Sequence, residues 1–335
     1  MKVNAFAALE KSGKLEPFSY ELSTLGTEEV DIKVHYCGIC HSDISMIDDA
    51  WGMTQYPIVP GHEIVGEVVA KGPSVKNLNV GDKVGLGWFS ASCMTCYQCM
   101  DGEHHLCATA ESTIVGRHGG FADHVRGHWS WAIPLPPDID LRRAGPLLCG
   151  GITVFNPIIL AEVKPTDTVG VIGIGGLGHM ALMFLKHWGC EVIAFSSNPA
   201  KKEEILKMGA TKIIDSKSPE DLEGIRGQLD FILNTTNVTL DWSSYLNTLA
   251  PKGKFHTVGA VLEPMAIPAF NLIGGQKSVS GSPLGSPALN RTMLDFCVRH
   301  DIYPIVEEYP LAKVNDALQH LRAGKARYRI ALEAG

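Results

Sequence analysis

The first half of the chain holds two groups of residues whose side chains bind metals. The denser group is a run of four cysteines, Cys93, Cys96, Cys99 and Cys107. Four thiolates at this spacing can wrap one tetrahedral Zn²⁺ at sulfur–metal distances of roughly 2.3 Å. Disulfides are the alternative, but the odd total of nine cysteines and the lack of a secretory apolar segment near Met1 favour metal binding. Such a closed four-sulfur site supports structure and leaves no position for a substrate.

The second group is Cys40, His62 and Cys149. Two thiolates and one imidazole with an open fourth position are typical of a catalytic zinc. Such an ion polarises an alcohol or carbonyl oxygen and stabilises the charge that develops there when a hydride is transferred. Spacing alone cannot unite three positions so far apart, and each residue taken singly is more often an ordinary buried side chain.

A glycine motif in the second half predicts a dinucleotide site. It consists of Gly173, Gly175, Gly176, Leu177 and Gly178, with Ile174 between the first two glycines. The motif follows the apolar strand pattern TVGVI and opens a pattern with apolar residues at helical spacing. Glycines there allow the backbone to approach a pyrophosphate, whose charge meets the positive end of the helix dipole.

The end of the following strand predicts which dinucleotide binds. NAD-binding proteins usually place a carboxylate there to hold the ribose 2′-hydroxyl. In this chain Ser196, Ser197, Asn198 and Lys201 occupy the segment, and no carboxylate is present. Hydroxyl, amide and ammonium groups donate to a 2′-phosphate, so NADP(H) is predicted. The alternative is a solvated loop in which Ser197 or Asn198 caps a helix.

The strand and helix patterns predict an α/β chain with two domains. Residues 1 to about 150 show short alternating strands punctuated by Gly and Pro, which predicts a barrel-like all-β unit. From about residue 165, strands alternate with helices, as in a doubly wound parallel sheet. After about residue 285 two helical patterns and an extended segment follow, and the last of these can rejoin the first domain.

Composition and charge limit the kinds of binding partner that we expect for this protein. The 335 residues are 45% hydrophobic and 19% charged, with a formal net charge of −7. The mild acidity gives no reason to expect nucleic acid or an anionic membrane as a partner. No apolar run approaches the ~20 residues that span a bilayer, so we expect a cytoplasmic protein.

Five motifs in order resemble those of the zinc-dependent medium-chain alcohol dehydrogenases, most closely the cinnamyl alcohol dehydrogenase-like branch. The resemblance covers nearly the whole chain. It is carried by the four-cysteine run and by Gly38-Ile39-Cys40-His41-Ser42-Asp43, Gly61-His62-Glu63-x2-Gly66-x5-Gly72-x2-Val75, Leu148-Cys149-Gly150-Gly151-Ile152-Thr153-Val154 and Gly173-Ile174-Gly175-Gly176-Leu177-Gly178-His179. It implies a GroES-like catalytic domain over 1–150, completed by 286–335, and a Rossmann nucleotide-binding domain over 151–285.

The resemblance also implies residue roles. Cys40, His62 and Cys149 hold the reactive zinc, with Glu63 as an alternate ligand. Asp43 accepts from His62, and Ser42 takes the alcohol proton. Three sets of residues surround the cofactor. Arg327 contacts the pyrophosphate, and Ser196, Ser197 and Lys201 bind the 2′-phosphate. The nicotinamide side is lined by Thr153, Val258, Ser280 and Ser282. Where many members carry a histidine three residues after Ser42, this chain has Ser45, which leaves the later proton path open.

The predicted function is a zinc-dependent, NADP(H)-linked alcohol dehydrogenase or aldehyde reductase. Trp51, Trp88, Phe89 and Leu284 are the candidate pocket residues, and they suit aromatic or medium aliphatic substrates. Two alternatives stay open at this point, a non-catalytic scaffold that binds zinc and NADP, and an NAD-dependent polyol or formaldehyde dehydrogenase. A homodimer is predicted, because a sheet edge near Lys277–Ser280 can pair across a two-fold axis.

Overall fold

In the computed structural model, which describes all residues from 1 to 335, the chain divides into two units. Unit 1 comprises Met1–Ile152 and Leu284–Gly335, and unit 2 comprises Thr153–Pro283. Unit 2 is therefore one continuous segment placed within the sequence of unit 1.

The first part of unit 1 consists mainly of short strands. They are β1 (Lys2–Ala8), β2 (Leu15–Glu21), β3 (Glu29–Ile39), β4 (Ile64–Lys71), β5 (Lys83–Leu86), β6 (Phe89–Ala91), β7 (Glu111–Ser112), β8 (His124–His128) and β9 (Ile133–Pro134). Its helices are short: α1 (His41–Ile47), α2 (Tyr97–Met100) and α3 (Leu141–Ala144), with single 3₁₀ turns at His104–Leu106 and Gly145–Leu148. Helix α4 (Gly150–Leu160) carries the chain into unit 2.

Unit 2 alternates strands and helices. Its strands are β10 (Thr168–Ile172), β11 (Glu191–Phe195), β12 (Lys212–Ile214), β13 (Leu229–Asn234), β14 (Leu249–Thr257) and β15 (Ser278–Gly281). Its helices are α5 (Gly178–Trp188), α6 (Lys202–Lys207), α7 (Pro219–Glu223), α8 (Trp242–Thr248) and α9 (Phe270–Ile273), with a 3₁₀ turn at Pro199–Lys201. The six strands pair in parallel in the order β12-β11-β10-β13-β14-β15, which confirms the doubly wound sheet.

The chain then returns to unit 1. This last part contains α10 (Pro287–His300), β16 (Val306–Pro310), a 3₁₀ turn at Leu311–Lys313, α11 (Val314–Arg322) and β17 (Arg329–Glu333). Strand β17 lies between β16 and β3 in the sheet β16-β17-β3-β4-β5-β9, and Ile330 pairs with Ile39. The extended C-terminal segment thus rejoins the first domain, as predicted.

Local sequence accounts for the ends of the longer helices. Helix α10 begins because the Ser286 side chain accepts from the Leu289 N–H and Pro287 occupies the first turn, where its missing N–H is harmless. Helix α5 ends at Gly189, whose φ of 109° permits the left-handed cap.

Apolar strand faces form the two cores. In unit 1 the buried side chains of β3, β4 and β5, among them Ile32, Ile64 and Val84, pack together. In unit 2 the sheet buries Phe195, Phe231 and Phe255. No single helix is long and apolar enough to cross a membrane; Leu141–Leu148 and Gly150–Leu160 pass that test only as a pair bent by 55°.

Candidate active site

A cluster of four potential metal ligands is buried in unit 1. Ligand atoms of Cys40, His62, Glu63 and Cys149 all lie within 4.8 Å of one another. The His62 Nε2 is 3.3 Å from the Cys149 Sγ, which is 4.0 Å from the Cys40 Sγ. Three separate parts of the chain supply these atoms: the end of β3, the segment before β4 and the turn before α4.

Asp43 fixes two of those parts to each other. Its Oδ2 accepts from the Cys40 N–H at 2.8 Å, and its Oδ1 accepts from the Gly61 N–H at 2.9 Å. Gly61 has a φ of 99°, and a Cβ there would meet Phe121 at 2.6 Å, so only glycine fits this turn. One carboxylate therefore sets the distance between the ligands on either side of it.

The same carboxylate sets the proton position on His62. The His62 Nδ1 lies 2.9 Å from the Asp43 Oδ1, and both side chains are fully buried. The ring therefore donates from Nδ1 to the carboxylate and directs Nε2 towards the cluster. Burial alone would lower the pKa of His62, but the Asp43 carboxylate raises it well above its ordinary value.

The cluster fits Zn²⁺. Two sulfurs bound to one tetrahedral zinc at 2.3 Å lie about 3.8 Å apart, close to the 4.0 Å between the Cys40 and Cys149 sulfurs. The Glu63 Oε2 is buried and has no hydrogen-bond partner in the protein, as a reserve ligand requires. The Cys40 thiol is unusually acidic, because a hydrogen bond from Cys149 holds the pKa of Cys40 well below its usual value.

Arg329, which sequence analysis did not identify, adds a positive charge beside the cluster. The Arg329 guanidinium on β17 forms a buried ion pair with the Glu63 Oε1. Burial raises the pKa of Glu63 to about 7, although the Arg329 charge opposes that shift. A signal was present in the sequence, because Arg329 begins a strand whose next three residues are apolar. A charged residue in such a strand needs a buried partner.

A hydroxyl lies beside the cluster. The Ser42 Oγ, in the first turn of α1, is 3.6 Å from the Cys40 Sγ. Its side chain is half-buried, so the hydroxyl lies at the border between the cluster and solvent. Ser45 lies one turn further along the same helix and is also half-buried.

Aromatic residues form one wall next to the cluster. The Trp88 ring meets the His62 ring edge to face, with 5.0 Å between centroids, and Trp51 meets Trp88 in the same manner at 6.0 Å. Phe89 packs on Trp131 at 5.1 Å. A small cavity is lined by Trp88, Phe89 and Leu284, so three of the four predicted pocket residues border one space.

The four-cysteine run forms a separate site around α2. Ligand atoms of Cys93, Cys96, Cys99 and Cys107 lie within 4.8 Å of one another, and all nine cysteines of the chain are free thiols. The Sγ atoms of Cys93 and Cys99 are 3.9 Å apart, again near the spacing of about 3.8 Å in a zinc site. Backbone hydrogen bonds from Thr95 and Cys96 lower the pKa of Cys93 to about 5, which favours its thiolate.

The glycine motif of unit 2 forms a tight turn between β10 and α5. Gly173 has a φ of 87°, and a Cβ on Gly178 would lie 2.0 Å from the Gly173 carbonyl oxygen. A Cβ on Gly175 would meet nothing within 4 Å, so space remains there for a ligand. Gly176 and Leu177 directly precede α5, whose N-terminal N–H groups suit an anion.

The polar segment after β11 lies beside this turn. The Lys201 Nζ donates to the Ile174 carbonyl at 3.3 Å, which brings its charge to the glycine motif. The Asn198 side chain caps the Pro199–Lys201 turn by accepting from the Ala200 N–H at 3.0 Å. Ser196 and Ser197 follow the carboxyl end of β11 without a carboxylate among them. The set fits a phosphorylated ribose.

The remaining predicted cofactor residues are distributed over both units. In unit 2, Thr153 lies on α4, Val258 follows β14, and Ser280 and Ser282 lie at and after the end of β15. Arg327 belongs to unit 1, where its N–H donates to the Glu307 Oε1 at 2.6 Å.

Sequence analysis also missed His256, a buried residue of β14 that contacts both serines. Each of its ring nitrogens lies 2.9 Å from one serine hydroxyl.

Comparisons with known proteins agree with this geometry. Residues 26–137 match the alcohol dehydrogenase GroES-like domain, and residues 176–299 match the zinc-binding dehydrogenase family. The chain is 56% identical over 330 residues to aldehyde reductase AdhA of Synechocystis sp., covering 98% of each protein. It is 38% identical to cinnamyl alcohol dehydrogenase 7 of Arabidopsis thaliana, covering 98% of this chain and 94% of that protein.

Solved structures show the same similarity. A cinnamyl alcohol dehydrogenase from Sorghum bicolor aligns with a TM-score of 0.95 at 35% identity, covering 99% of this chain and 98% of that one. The Helicobacter pylori cinnamyl alcohol dehydrogenase complexed with NADP(H) aligns with a TM-score of 0.91 at 30% identity, with the same coverage. The GroES-like and Rossmann folds are thereby confirmed, and the chain belongs to the zinc-dependent medium-chain alcohol dehydrogenases, in their cinnamyl alcohol dehydrogenase-like branch.

Proposed function

We propose that this enzyme reduces aldehydes to primary alcohols with NADPH, and catalyses the reverse oxidation with NADP. The observation that carries the proposal is the buried set of Cys40, His62 and Cys149 beside the Ser42 hydroxyl. It occurs in a chain whose second unit offers a glycine turn and, beside it, a polar segment without carboxylates, Ser196 to Lys201. We assign the metal chemistry to unit 1 and cofactor binding to unit 2.

Each group of the first unit has one task. When bound, Zn²⁺ supplies Lewis-acid polarisation of the substrate oxygen, and NADPH supplies the hydride. Cys40, His62 and Cys149 hold the ion, and Asp43 keeps the His62 proton on Nδ1 so that Nε2 stays available. The closed four-cysteine site holds a second, structural ion.

Reduction of an aldehyde adds a hydride at carbon and a proton at oxygen. We assign delivery of that proton to the Ser42 Oγ, because this hydroxyl lies beside a metal ligand and is half-buried. Ser45 replaces the ionisable side chain that would extend a relay along α1. The Ser42 hydroxyl therefore recovers its proton from water or from a cofactor ribose hydroxyl.

The aromatic wall indicates the substrate class. Trp88 lies against His62 and Trp51 lies against Trp88, so the two rings form an apolar wall, which suits aromatic and medium aliphatic aldehydes. The names of the cinnamyl alcohol dehydrogenase relatives support this class. Steady-state assays with NADPH and a panel of benzaldehyde, cinnamaldehyde and linear aldehydes test the proposal, and the absence of turnover across the panel would refute it.

Replacing Ser197 with aspartate is expected to reverse the cofactor preference. A carboxylate there repels a 2′-phosphate and accepts from a ribose 2′-hydroxyl. Loss of one charge-assisted hydrogen bond costs about 1.5–3 kcal/mol, so KM for NADPH should rise about tenfold or more while KM for NADH falls. Ser218→Asp, which adds the same charge at the half-buried N-cap of α7, is the matched control. Equal KM values for NADPH and NADH in the wild-type enzyme would contradict the NADP assignment.

We also propose that the protein forms a homodimer through β15. This strand is an edge of the parallel sheet, so one side of its backbone has no partner strand. Phe270 and Ile273 of α9, shortly before it, are 84% and 67% exposed. A second copy related by a two-fold axis covers both features at once.

The double variant Phe270→Asp/Ile273→Asp is therefore expected to sediment as a monomer. Sedimentation velocity measures this directly. Val80→Asp, which places a charge at another exposed apolar position in unit 1, should leave the dimer intact. A wild-type protein that is monomeric at micromolar concentration would exclude the interface.

A further inference from the structure

One cysteine of the four-cysteine site differs from every other cysteine in its exposure to solvent. Cys93 is exposed and Cys96 is half-buried, whereas the other seven cysteines of the chain are buried. Cys40 and Cys149 of the catalytic cluster are only 8% and 7% exposed. An oxidant that arrives from solvent therefore reaches the Cys93 sulfur before it reaches the sulfurs of the catalytic cluster.

A second thiol lies within reach of Cys93. The Cys99 Sγ is 3.9 Å from the Cys93 Sγ, and Cys99 itself is only 4% exposed. Cysteines bind zinc as thiolates, and the thiolate is also the nucleophilic form of cysteine. Cysteines that are sensitive to oxidation are accessible thiolates, often with a second cysteine beside them that can resolve the oxidised sulfur. Cys93 and Cys99 form such a pair.

The structural ion is the main constraint on the loop that carries this pair. Between Cys93 and Cys107 the regular elements are the four-residue helix α2 and one 3₁₀ turn. On that helix, Tyr97 and Met100 expose 78% and 76% of their surface. Few apolar side chains therefore tie the loop to the core of unit 1, so loss of the ion should loosen it.

We propose that Cys93 is the site at which hydrogen peroxide first oxidises this protein, and that a Cys93–Cys99 disulfide then displaces the structural zinc. The Cys93 thiolate attacks one peroxide oxygen, the O–O bond breaks, and the departing hydroxide takes a proton to become water. The Cys99 thiolate then attacks the Cys93 sulfur of the resulting sulfenic acid, the S–O bond breaks, and a second water forms in the same way. The two thiolates lose two electrons in total, and the peroxide accepts them.

The disulfide leaves too few ligands for a closed four-sulfur site. Only Cys96 and Cys107 remain as thiolates, so the structural ion is released, while Cys40, His62 and Cys149 keep theirs. The oxidised protein should therefore lose thermal stability before it loses turnover, and a thiol reductant together with zinc should restore it. No step involves the substrate or NADP(H), so the inference is independent of the proposed function.

Peroxide titration of the protein loaded with zinc at both sites tests the proposal. A colorimetric zinc chelator measures the release of the ion, and untreated protein shows how much zinc the chelator removes by itself. Peptide mass spectrometry under non-reducing conditions locates the disulfides. We expect release of the structural ion in step with formation of a Cys93–Cys99 disulfide, while kcat for aldehyde reduction stays unchanged.

Two histidine variants keep four ligands and separate the exposed cysteine from a buried one. A set of three cysteines and one histidine also holds zinc tetrahedrally, so Cys93→His and Cys107→His should both load fully with zinc. Cys93→His lacks the exposed thiolate, so peroxide should release its structural ion at least about tenfold more slowly than in the wild type. Cys107→His alters a buried ligand and keeps both Cys93 and Cys99, so it should release the ion at the wild-type rate.

The rates and the positions of the disulfides decide the proposal. Equal rates of zinc release from the wild type and Cys93→His would overturn it, as would a Cys40–Cys149 disulfide that forms before any bond to Cys93. If Cys93→His does not load with zinc, timed alkylation of the denatured wild-type protein replaces it. Cys93 must then lose its free thiol no later than any other cysteine, and an earlier loss elsewhere overturns the proposal.

Discussion

Replacement of Cys149 by alanine is expected to lower kcat/KM for aldehyde reduction by about 10³-fold or more. The substitution removes one of three ligands from a buried cluster, and polarisation of the substrate oxygen by a metal contributes several kcal/mol to transition-state stabilisation. The same substitution should reduce the zinc content from two ions per chain to one. Metal analysis by mass spectrometry and steady-state kinetics on the same preparation measure both effects.

Two other cysteines serve as controls for this variant. Cys190→Ala alters a buried thiol of unit 2 that belongs to neither cluster, so it should retain both ions and full activity. Cys99→Ala should lose the other ion and lower the melting temperature, while the folded fraction still reduces aldehydes. A Cys149→Ala protein with two ions and wild-type kinetics would show that the cluster is not the catalytic centre.

Replacement of Arg329 by methionine is expected to destabilise the protein by about 3–5 kcal/mol, because it leaves the Glu63 carboxylate buried without its cation. Arg329 is 5% exposed and Glu63 is fully buried, so water cannot compensate. Urea unfolding of the metal-loaded protein, followed by tryptophan fluorescence, gives the change in the free energy of unfolding.

The control for this variant is a second arginine in an exposed ion pair. Arg322 pairs with Asp48 at the surface of unit 1, and Arg322→Met should cost only about 0–1 kcal/mol. Adding Glu63→Gln to Arg329→Met removes the unpaired charge and should recover much of the loss. If both arginine variants lose the same free energy of unfolding, the buried Glu63–Arg329 pair contributes no more to stability than an exposed ion pair.

The parts of the fold that were predicted correctly have strong local patterns. The strand–glycine–helix sequence from Thr168 to Trp188 combines a change of period with a specific turn, so its structure follows from a short segment. Helix α4 was missed because its residues are almost all apolar and Pro157 lies within it. A helix that is apolar on every side has no periodic pattern to detect.

The site shows the same division between local and long-range information. Residue types identified Cys40, His62 and Cys149 as candidate ligands, but only the tertiary structure brings their atoms within 4.8 Å. Arg329 and His256 were missed because each acts through a partner supplied by a different strand or segment. Neither contact has a spacing in the sequence that marks it.

The order of ribosomal synthesis has a consequence for strand β17. This strand is made after unit 2, yet it lies between β16 and β3, and β3 is made before unit 2. While unit 2 emerges from the ribosome, the end of β3 that pairs with β17, residues 36 to 39, lacks that partner, and Glu63 lacks its guanidinium. Because chains fold from the N-terminus as they are made, the electrostatic balance of the metal centre is reached only after the segment that carries Arg329 has been synthesised.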